Sequence, residues 1–418
     1  MQLTIVSLLL FFLVLTQKVE AQVRKTWPFK KNFFSKGDTT SMAIMTYERP
    51  DWKTIDIDIL TSYYAQDGNN SPVTGGIGTE QLTDFTQKII LSVPLKEQLT
   101  LNLDGGYDYY SSASTDNIDN IRSSDSQSDT RIHGNIGLSY QLDNQQTIGF
   151  RLGGSSEYDY TSINGGLTYN WLSKSENTAF NASFQAYIDQ WSVIFPGELR
   201  RREFRPSVPT DKRQSYNLAL GFSQVLNQRM QVSLQVEAIY MNGLLATPFH
   251  RVFFQEQDRA RIENLPTNRL KLPIGLRLNT YLADWLVARM YYRYYWDDWG
   301  IQGHTASLEL PIKINRFFSI APFYRYHTQT AADYFKPFKE HSVNDVFYTS
   351  DYDLAALNSH SYGVGISYSR SGGIGKLPLP FKKRPSFMLK SIDLKYAHYD
   401  RSTGLKGNII SIGFGFEF

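Results

Sequence analysis

The chain lacks cysteine altogether, and its net charge and apolar runs are also small. Without cysteine, its 418 residues can form no disulfide, thiolate metal site, cysteine nucleophile or lipoprotein anchor. No segment after the amino-terminal region approaches the ~20 consecutive apolar residues that a membrane helix needs. A formal net charge of +3 is too small to indicate a nucleic-acid partner. These absences exclude a disulfide scaffold, a bundle of membrane helices and a nucleic-acid-binding protein.

Aromatic residues, by contrast, are abundant. They make up 14% of the chain, with 27 Tyr and 26 Phe, a composition typical of a β-barrel whose aromatic side chains lie at the membrane interfaces. Near the amino terminus, the apolar run Leu3–Thr16 is too short for a membrane helix and precedes the small residues Val19 and Ala21. We expect a signal peptide over residues 1–21, cleaved before Gln22. A buried amino-terminal helix is the alternative, because no Lys or Arg precedes the apolar run.

The last twelve residues, Gly407–Phe418, have the pattern of a membrane strand. Successive side chains of a strand point to opposite faces, so one face is apolar and the other is mostly small or polar. The apolar face holds Ile410, Ile412, Phe414, Phe416 and Phe418. The final strand of an outer-membrane barrel has this pattern because it borders lipid on one side and the lumen on the other. We therefore expect the outer membrane of a Gram-negative bacterium.

Comparable alternation recurs throughout residues 51–418, in segments near the length of a tilted membrane strand. Short turns alternate with long polar loops at Ser111–Thr130, Trp191–Lys212, Gly243–Asn268 and Thr330–His360. The sequence thus predicts an all-β, antiparallel, up-and-down transmembrane barrel of about 16 strands, within a range of about 14–18, with long extracellular loops and short periplasmic turns. Residues 22–50 would form a periplasmic segment or a plug. Ser371–Ser386 would form one long periplasmic connection.

Charged residues share the face of these strands that lies opposite the apolar one. A charged side chain on the lipid face near the membrane midplane costs roughly 2–4 kcal/mol, so we expect these charges to face the lumen. The predicted lumen-lining residues are Arg277, Arg289, Arg293, Glu309, Lys313 and Arg325. Their arginine-rich composition fits a polar channel that prefers anions. It fits equally well a salt-bridged interior that holds the barrel's shape.

Weaker signals lie in the connections. Asp116, Asp119, Asp125 and Asp129 could hold Ca²⁺ through oxygen ligands, although their spacing matches no EF-hand and such loops are usually solvated. We expect no other metal or cofactor. The external basic cluster Arg200–Arg205 could meet lipopolysaccharide phosphates or another protein. The periplasmic cluster Lys382–Arg384 could bind a periplasmic partner or lipid headgroups. Either cluster could also be simply solvated. No nucleophile has an evident base nearby, so we do not expect an enzyme.

Three stretches resemble a bacterial family of outer-membrane barrels that has no assigned function. They are Met241–Val252, Glu263–Asn279 and Tyr292–Thr305. The resemblance extends over most of the mature chain. It marks as family-motif positions Pro248, Arg251, Asp298, Trp299, Gly300, His304 and Thr305. The sequences of the two termini resemble those of proteins from Bacteroidota. The resemblance implies the fold and the outer-membrane localisation, but no activity.

Two functions fit these observations. The first is a porin-like channel for small polar solutes, anions among them. The second is a structural or assembly component of an outer-membrane protein complex, with a closed barrel. The expected partners are outer-membrane lipid or lipopolysaccharide and outer-membrane or periplasmic proteins. A plugged transporter of hydrophobic ligands is less favoured, because the plug candidate Gln22–Tyr47 is basic and polar.

Overall fold

The computed structural model describes residues 54–111, 128–199, 209–378 and 386–418. Outside these ranges lie the predicted signal peptide and segment 22–50, both basic clusters, Asp116, Asp119 and Asp125. The described part consists mainly of strands, as the alternation of apolar and polar residues predicts. No helix in it has both the length and the apolar composition needed to cross a membrane.

Sixteen antiparallel strands form one closed sheet, which confirms the predicted fold class and strand number. The first nine are β1 (Asp56–Asp67), β2 (Leu82–Lys96), β3 (Leu99–Ser111), β4 (Ser128–Gln141), β5 (Gln146–Ser156), β6 (Tyr160–Leu172), β7 (Thr178–Ser192), β8 (Thr210–Asn227) and β9 (Met230–Gly243). The others are β10 (Asn268–Lys271 and Ile274–Ala283), β11 (Leu286–Trp296), β12 (Gln302–Glu309 and Ile312–Lys313), β13 (Phe318–Gln329), β14 (Leu357–Ser369), β15 (Ser386–Arg401) and β16 (Lys406–Glu417).

Proline explains the breaks in β10 and β12. Pro273 and Pro311 fall at the two interruptions, and proline has no backbone N–H to donate to a neighbouring strand. Their carbonyl groups still take part: Pro273 O accepts from Glu237 N at 3.0 Å, and Pro311 O accepts from Val287 N at 3.0 Å. The sheet therefore continues through both positions.

Strands β1 and β16 close the barrel. They pair along their whole length, from Asp56 opposite Glu417 to Asp67 opposite Lys406. Beyond the last pair, Ile55 and Phe418 exchange two backbone hydrogen bonds of 2.9 Å each. Closure leaves neither strand with an unpaired edge.

Alternate residues of each strand face lipid, as the exposed side chains show. Leu276, Met290, Tyr292 and Leu308 are exposed large apolar or aromatic residues of β10, β11 and β12. In register they lie side by side on one face. The residues between them belong to the opposite face, which lines the lumen.

The two ends of the barrel differ. One end carries the short turns, and here the connection between β14 and β15 includes the short strand Gly375–Pro378, which pairs with β15. The other end carries the long loops. The loop between β9 and β10 contains its own hairpin, Arg251–Phe254 with Gln257–Ile262. Its Val252 and Phe254 are fully buried, so the loops have an apolar core of their own.

Candidate functional site

The lumen has two walls of opposite charge. On β10–β15, including the ends of these strands, the inward basic residues are Arg269, Lys271, Arg277, Arg289, Arg293, Lys313, Arg325, Lys395 and Arg401, and the described inward acids are Asp297, Glu309 and Asp393. On β1–β9 the described inward acids are Asp56, Asp58, Asp84, Asp104, Asp108, Asp129, Asp189, Asp211 and Glu237, and the basic residues with them are Lys88, Arg131, Arg151 and Arg213. The first wall is mainly basic and the second mainly acidic.

The six predicted lumen residues lie on one face of four consecutive strands, β10–β13. Arg289 donates to Glu309 at 2.6 Å. Arg277 lies over the Tyr291 ring, with 5.4 Å between the guanidinium carbon and the ring centroid. The other three are Arg293 opposite Thr305, Arg325 opposite Ser361, and Lys313 with its ammonium 5.7 Å from the Tyr281 centroid. The structure therefore brings these residues together as a patch with ion-pair and aromatic neighbours.

A shared carboxylate organises the acidic wall. Asp104 on β3 accepts hydrogen bonds from Arg151 at 2.5 Å and from Asn135 at 3.0 Å, and it lies 3.2 Å from the Lys88 ammonium. The four residues come from β2, β3, β4 and β5. The cations of this wall are thus compensated locally by acids.

The long loops converge into a cap over one end of the barrel. We define the cap as the described parts of loops 68–81, 193–199, 244–267, 330–356 and 402–405. Arg251, in loop 244–267, joins this loop to three of the others. Its Nε donates to Glu198 Oε1 and its Nη1 to the Val73 carbonyl, both at 2.5 Å, while its own carbonyl accepts from Ser350 Oγ at 2.7 Å.

The Arg251–Val73 hydrogen bond spans the mouth of the barrel. Val73 lies in the loop that follows β1, and Arg251 lies in the loop that follows β9. These strands are eight places apart in a ring of sixteen, which is the largest separation that such a ring allows. The cap is therefore tied together from one wall to the other.

Glu263 is a second residue that joins segments of the cap, and it is buried. It accepts from Thr247 N at 2.6 Å and from Thr349 Oγ1 at 2.5 Å, and it faces His250 Nδ1 at 3.4 Å. Burial lowers the pKa of His250, but the Glu263 carboxylate outweighs this effect, so the pKa of His250 lies above its ordinary value. A protonated His250 therefore strengthens this part of the cap.

His341 is a third buried residue with several hydrogen-bond partners in the cap. Its Nε2 donates to the Thr349 carbonyl at 3.0 Å, and its Nδ1 lies 3.1 Å from Asp345 Oδ2. Lys336 donates to the same carboxylate at 2.7 Å, and this hydrogen bond, aided by His341, lowers the pKa of Asp345. Both ring nitrogens of His341 are therefore held by groups of the same loop.

The β11–β12 turn connects the cap to the barrel wall. Asp297 accepts from the backbone N–H groups of Trp299 at 3.1 Å and Ile301 at 3.0 Å, and also from the Arg269 guanidinium. Arg269 lies over the Trp299 ring, 4.2 Å from its centroid. Gly300 adopts a φ of 90° within this turn, a conformation that favours glycine.

The family-motif positions are divided among three places. Pro248 and Arg251 are buried in the cap, and Asp298, Trp299 and Gly300 form the β11–β12 turn. His304 and Thr305 are adjacent in β12 and therefore point to opposite faces. Thr305 Oγ1 lies 2.8 Å from His327 Nδ1 in the lumen, whereas His304 is outside the barrel.

A cavity of about 200 Å³ lies beneath the cap, against β8–β10. Its lining is formed by Arg213, Met241, Leu245, Thr247, Glu263, Leu265, Arg269, Trp299, Asp351 and Leu354. Both arginines already pair with acids, since Arg213 donates to Asp189 at 2.8 Å and Arg269 to Asp297. Burial, reinforced by Asp353, raises the pKa of Asp351 above its ordinary value. The cavity thus combines apolar surface with a buried carboxyl group, Glu263, and a partly exposed one, Asp351.

Sequence reasoning did not single out several of these cap residues. Glu263 lay in a family-like stretch without an assigned role, and Asp351, Glu198 and His341 carried no periodic signal. Arg401 was also missed: its Nη1 donates to Asp353 Oδ1 at 2.5 Å. Such residues become partners only through contacts between loops that are distant in sequence.

Of the predicted calcium ligands, the structure describes only Asp129, the second residue of β4. Glu157 and Asp159 follow β5 at the same rim, and burial followed by the Asp129 charge raises the pKa of Asp159 to about 6. Among the residues that the structure describes, no group of three or more His, Asp or Glu is arranged to hold a metal ion. Calcium binding by the whole loop stays a prediction.

Comparisons with known proteins identify one sequence family and several solved structures of similar fold. No curated protein matches the sequence. The siderophore receptor PirA from Acinetobacter baumannii is similar with a TM-score of 0.43 and 11% identity, over 82% of this chain and 53% of that one. The chain thus spans about half the length of this receptor. A bacterial polysaccharide outer-membrane secretin has a TM-score of 0.46 and 8% identity, over 87% and 98% of the two chains. Pseudomonas aeruginosa OccK1 has a TM-score of 0.39 and 7% identity, over 87% and 98%.

The sequence match is more extensive. Residues 30–375 match the model of a family described as "Protein of unknown function (DUF3570)". The matched region runs from before β1 to the connection between β14 and β15, and it includes every family-motif position named above and all loops of the cap except 402–405. The chain belongs to the DUF3570 family, and its structure is an outer-membrane-type β-barrel.

Proposed function

We propose that the protein is an outer-membrane conduit for small polar solutes whose entry the cap controls. The observation that carries this proposal is the opposed charge of the two lumen walls. Such walls set up an electric field across the lumen, and polar or charged solutes are stabilised in it relative to apolar ones. Anions are favoured along β10–β15 and cations along β1–β9.

Local ion pairs support a wet interior. Arg289 with Glu309 and Asp104 with Arg151 are half-exposed pairs rather than dry ones. A barrel of this strand number is wide enough to enclose an aqueous channel. Because acids of one wall offset the arginines of the other, we propose only a modest preference for anions.

The test is ion conductance of the purified full chain in planar bilayers, with the reversal potential measured in a KCl gradient. Arg289→Gln combined with Arg293→Gln removes two positive charges from the basic wall. We expect the variant to shift the reversal potential toward cation preference. The matched control is Arg259→Gln, which removes an exposed charge from the cap hairpin and should leave selectivity unchanged. An unchanged reversal potential in the double variant would contradict the proposal.

A second function is favoured by a specific observation, namely that buried hydrogen bonds span the mouth. On this view the barrel is closed, and its loops serve as a structural or assembly component of an outer-membrane complex. Replacing the hairpin 251–262 with a short Gly-Ser link separates the two functions. A gated conduit should conduct more in this variant, whereas a closed barrel stays silent. Purification in mild detergent would then show whether another outer-membrane or periplasmic protein accompanies the barrel.

A further inference from the structure

The outer surface carries the same group of side chains twice. On β11 and β12 it consists of Tyr292, Tyr294, Gln302 and His304, and on β13 and β14 of Tyr324, Tyr326, Asn358 and His360. In both groups two tyrosines that flank an inward arginine pair with an amide and a histidine on the next strand. We call each group a Tyr–His module.

The geometry of the two modules is nearly identical. The first tyrosine hydroxyl lies 2.7 Å from the histidine Nδ1 in both, at Tyr292–His304 and Tyr324–His360. The second tyrosine ring lies 5.2 Å from the imidazole in both. The second hydroxyl donates to the amide oxygen, at 3.5 Å in the first module and 3.2 Å in the second.

A related group follows on β15 and β16. His398 Nδ1 lies 2.9 Å from Asn408 Oδ1, which also accepts from Tyr396 at 2.9 Å. The Tyr362 ring lies 5.3 Å from the His398 ring. Three imidazoles with tyrosine and amide neighbours therefore follow one another around this side of the barrel.

All three imidazoles lie near the capped ends of their strands, since His304 is the third residue of β12, His360 the fourth of β14 and His398 the fourth from the end of β15. His360 pairs with Tyr326, two residues below Thr328, which pairs with His304. His398 pairs with Tyr362, two residues below His360. Farther from the capped end, the outward positions of β12 and β15 carry the exposed residues Leu308 and Leu394.

In both modules a tyrosine hydroxyl contacts Nδ1, so Nε2 is the ring nitrogen left for an outside partner. When a tyrosine hydroxyl donates to Nδ1, the neutral imidazole keeps its proton on Nε2. His304 and His360 are exposed, and no residue in the described part of the chain accepts from their Nε2 groups. A donor at the edge of the hydrocarbon needs an acceptor from its surroundings.

We propose that the Tyr–His modules bind a phosphorylated glycolipid of the outer leaflet. The Nε2–H groups would donate to phosphate oxygens, which accept stronger hydrogen bonds than neutral groups do. The exposed tyrosine rings would cover sugar and acyl surface beside them.

The test measures lipid retained by the full chain in detergent, by native mass spectrometry. The lipids are bisphosphorylated lipid A, the same glycolipid without phosphates, and phosphatidylglycerol. We expect preferential retention of bisphosphorylated lipid A. His304→Phe with His360→Phe keeps the rings but removes the donors, and it should weaken retention roughly tenfold, since hydrogen bonds to charged groups are the stronger kind. Tyr216→Phe with Tyr240→Phe changes outward tyrosines on β8 and β9 and should leave it unchanged.

Folding is checked separately by the heat-dependent gel mobility of each variant. A second pair, Tyr292→Phe with Tyr324→Phe, removes the hydroxyls that orient the imidazoles and should give a smaller loss. Equal retention of phosphorylated and phosphate-free lipid would overturn the proposal, as would full retention by a folded double histidine variant. Release of lipid A by millimolar inorganic phosphate would show recognition of phosphate alone and would also overturn it.

Discussion

Arg251 should control how often the cap opens. Arg251→Met keeps an aliphatic side chain in a buried position but removes the guanidinium. The hydrogen bond to the Val73 carbonyl joins two buried groups, and a bond from a charged donor contributes about 1.5–3 kcal/mol. The bond to Glu198 is discounted to about 1 kcal/mol or less, because that carboxylate is 55% exposed. Cap opening should then become easier by about 2–4 kcal/mol, or roughly 30- to 900-fold in population.

Hydrogen exchange provides the assay, with one reporter amide in the loop of Val73 and one in the loop of Arg251. Gly76 N donates to Ser71 O at 2.8 Å, and Glu263 N donates to His250 O at 3.0 Å. Both amides should exchange faster in Arg251→Met. Arg259→Met, which changes an exposed arginine of the same hairpin, should leave both unchanged. If Gly76 keeps its protection in Arg251→Met, the two loops are not coupled through this side chain and the reasoning fails.

Three further predictions concern the same region. Burial raises the pKa of Asp351, and a neighbouring carboxylate raises that of His250 despite burial, so both bind protons more tightly in the closed cap. Protection of the cap from proteases should therefore fall as the pH rises from about 5 to about 8, and a rise in protection would contradict this sign. Gly300→Ala should destabilise the β11–β12 turn by about 1–3 kcal/mol, because φ is 90° and the new Cβ would lie 2.5 Å from an Asp333 oxygen; an unchanged melting temperature would refute this. Phe254→Ala should cost the cap about 3–5 kcal/mol, because the ring is fully buried, and unchanged hydrogen exchange across the cap would count against it.

The barrel was predictable because each strand must satisfy two environments at once. Leu276 and Arg277 are adjacent, and only one register places the first in lipid and the second in the lumen. This constraint recurs in every strand, so the strand number and the direction of the charges followed from alternation. The breaks at Pro273 and Pro311 did not follow from it, since the sheet continues across them through the proline carbonyl groups and the N–H groups of Leu272 and Leu310.

The cap was not predictable, because its partners share no local pattern. Arg251 lies 53 positions from Glu198 and 178 from Val73. Family resemblance marked Arg251 without giving it a role. The Tyr–His modules were visible as two Tyr-Arg-Tyr tripeptides, at Tyr292–Tyr294 and Tyr324–Tyr326. Their role could be recognised only from the strand register, which places each tripeptide beside a histidine.

The pairing of β1 with β16 has a consequence for assembly. The seam brings together residues as far apart as Ser62 and Ser411, which are 349 positions apart. Contacts of such long range form late, because the intervening chain must first be ordered. Until then both seam strands expose unpaired edges that can join other chains. The intermediate with an open seam is therefore the species most in need of a chaperone, and weakening the seam pairing should lengthen its lifetime before it alters the finished barrel.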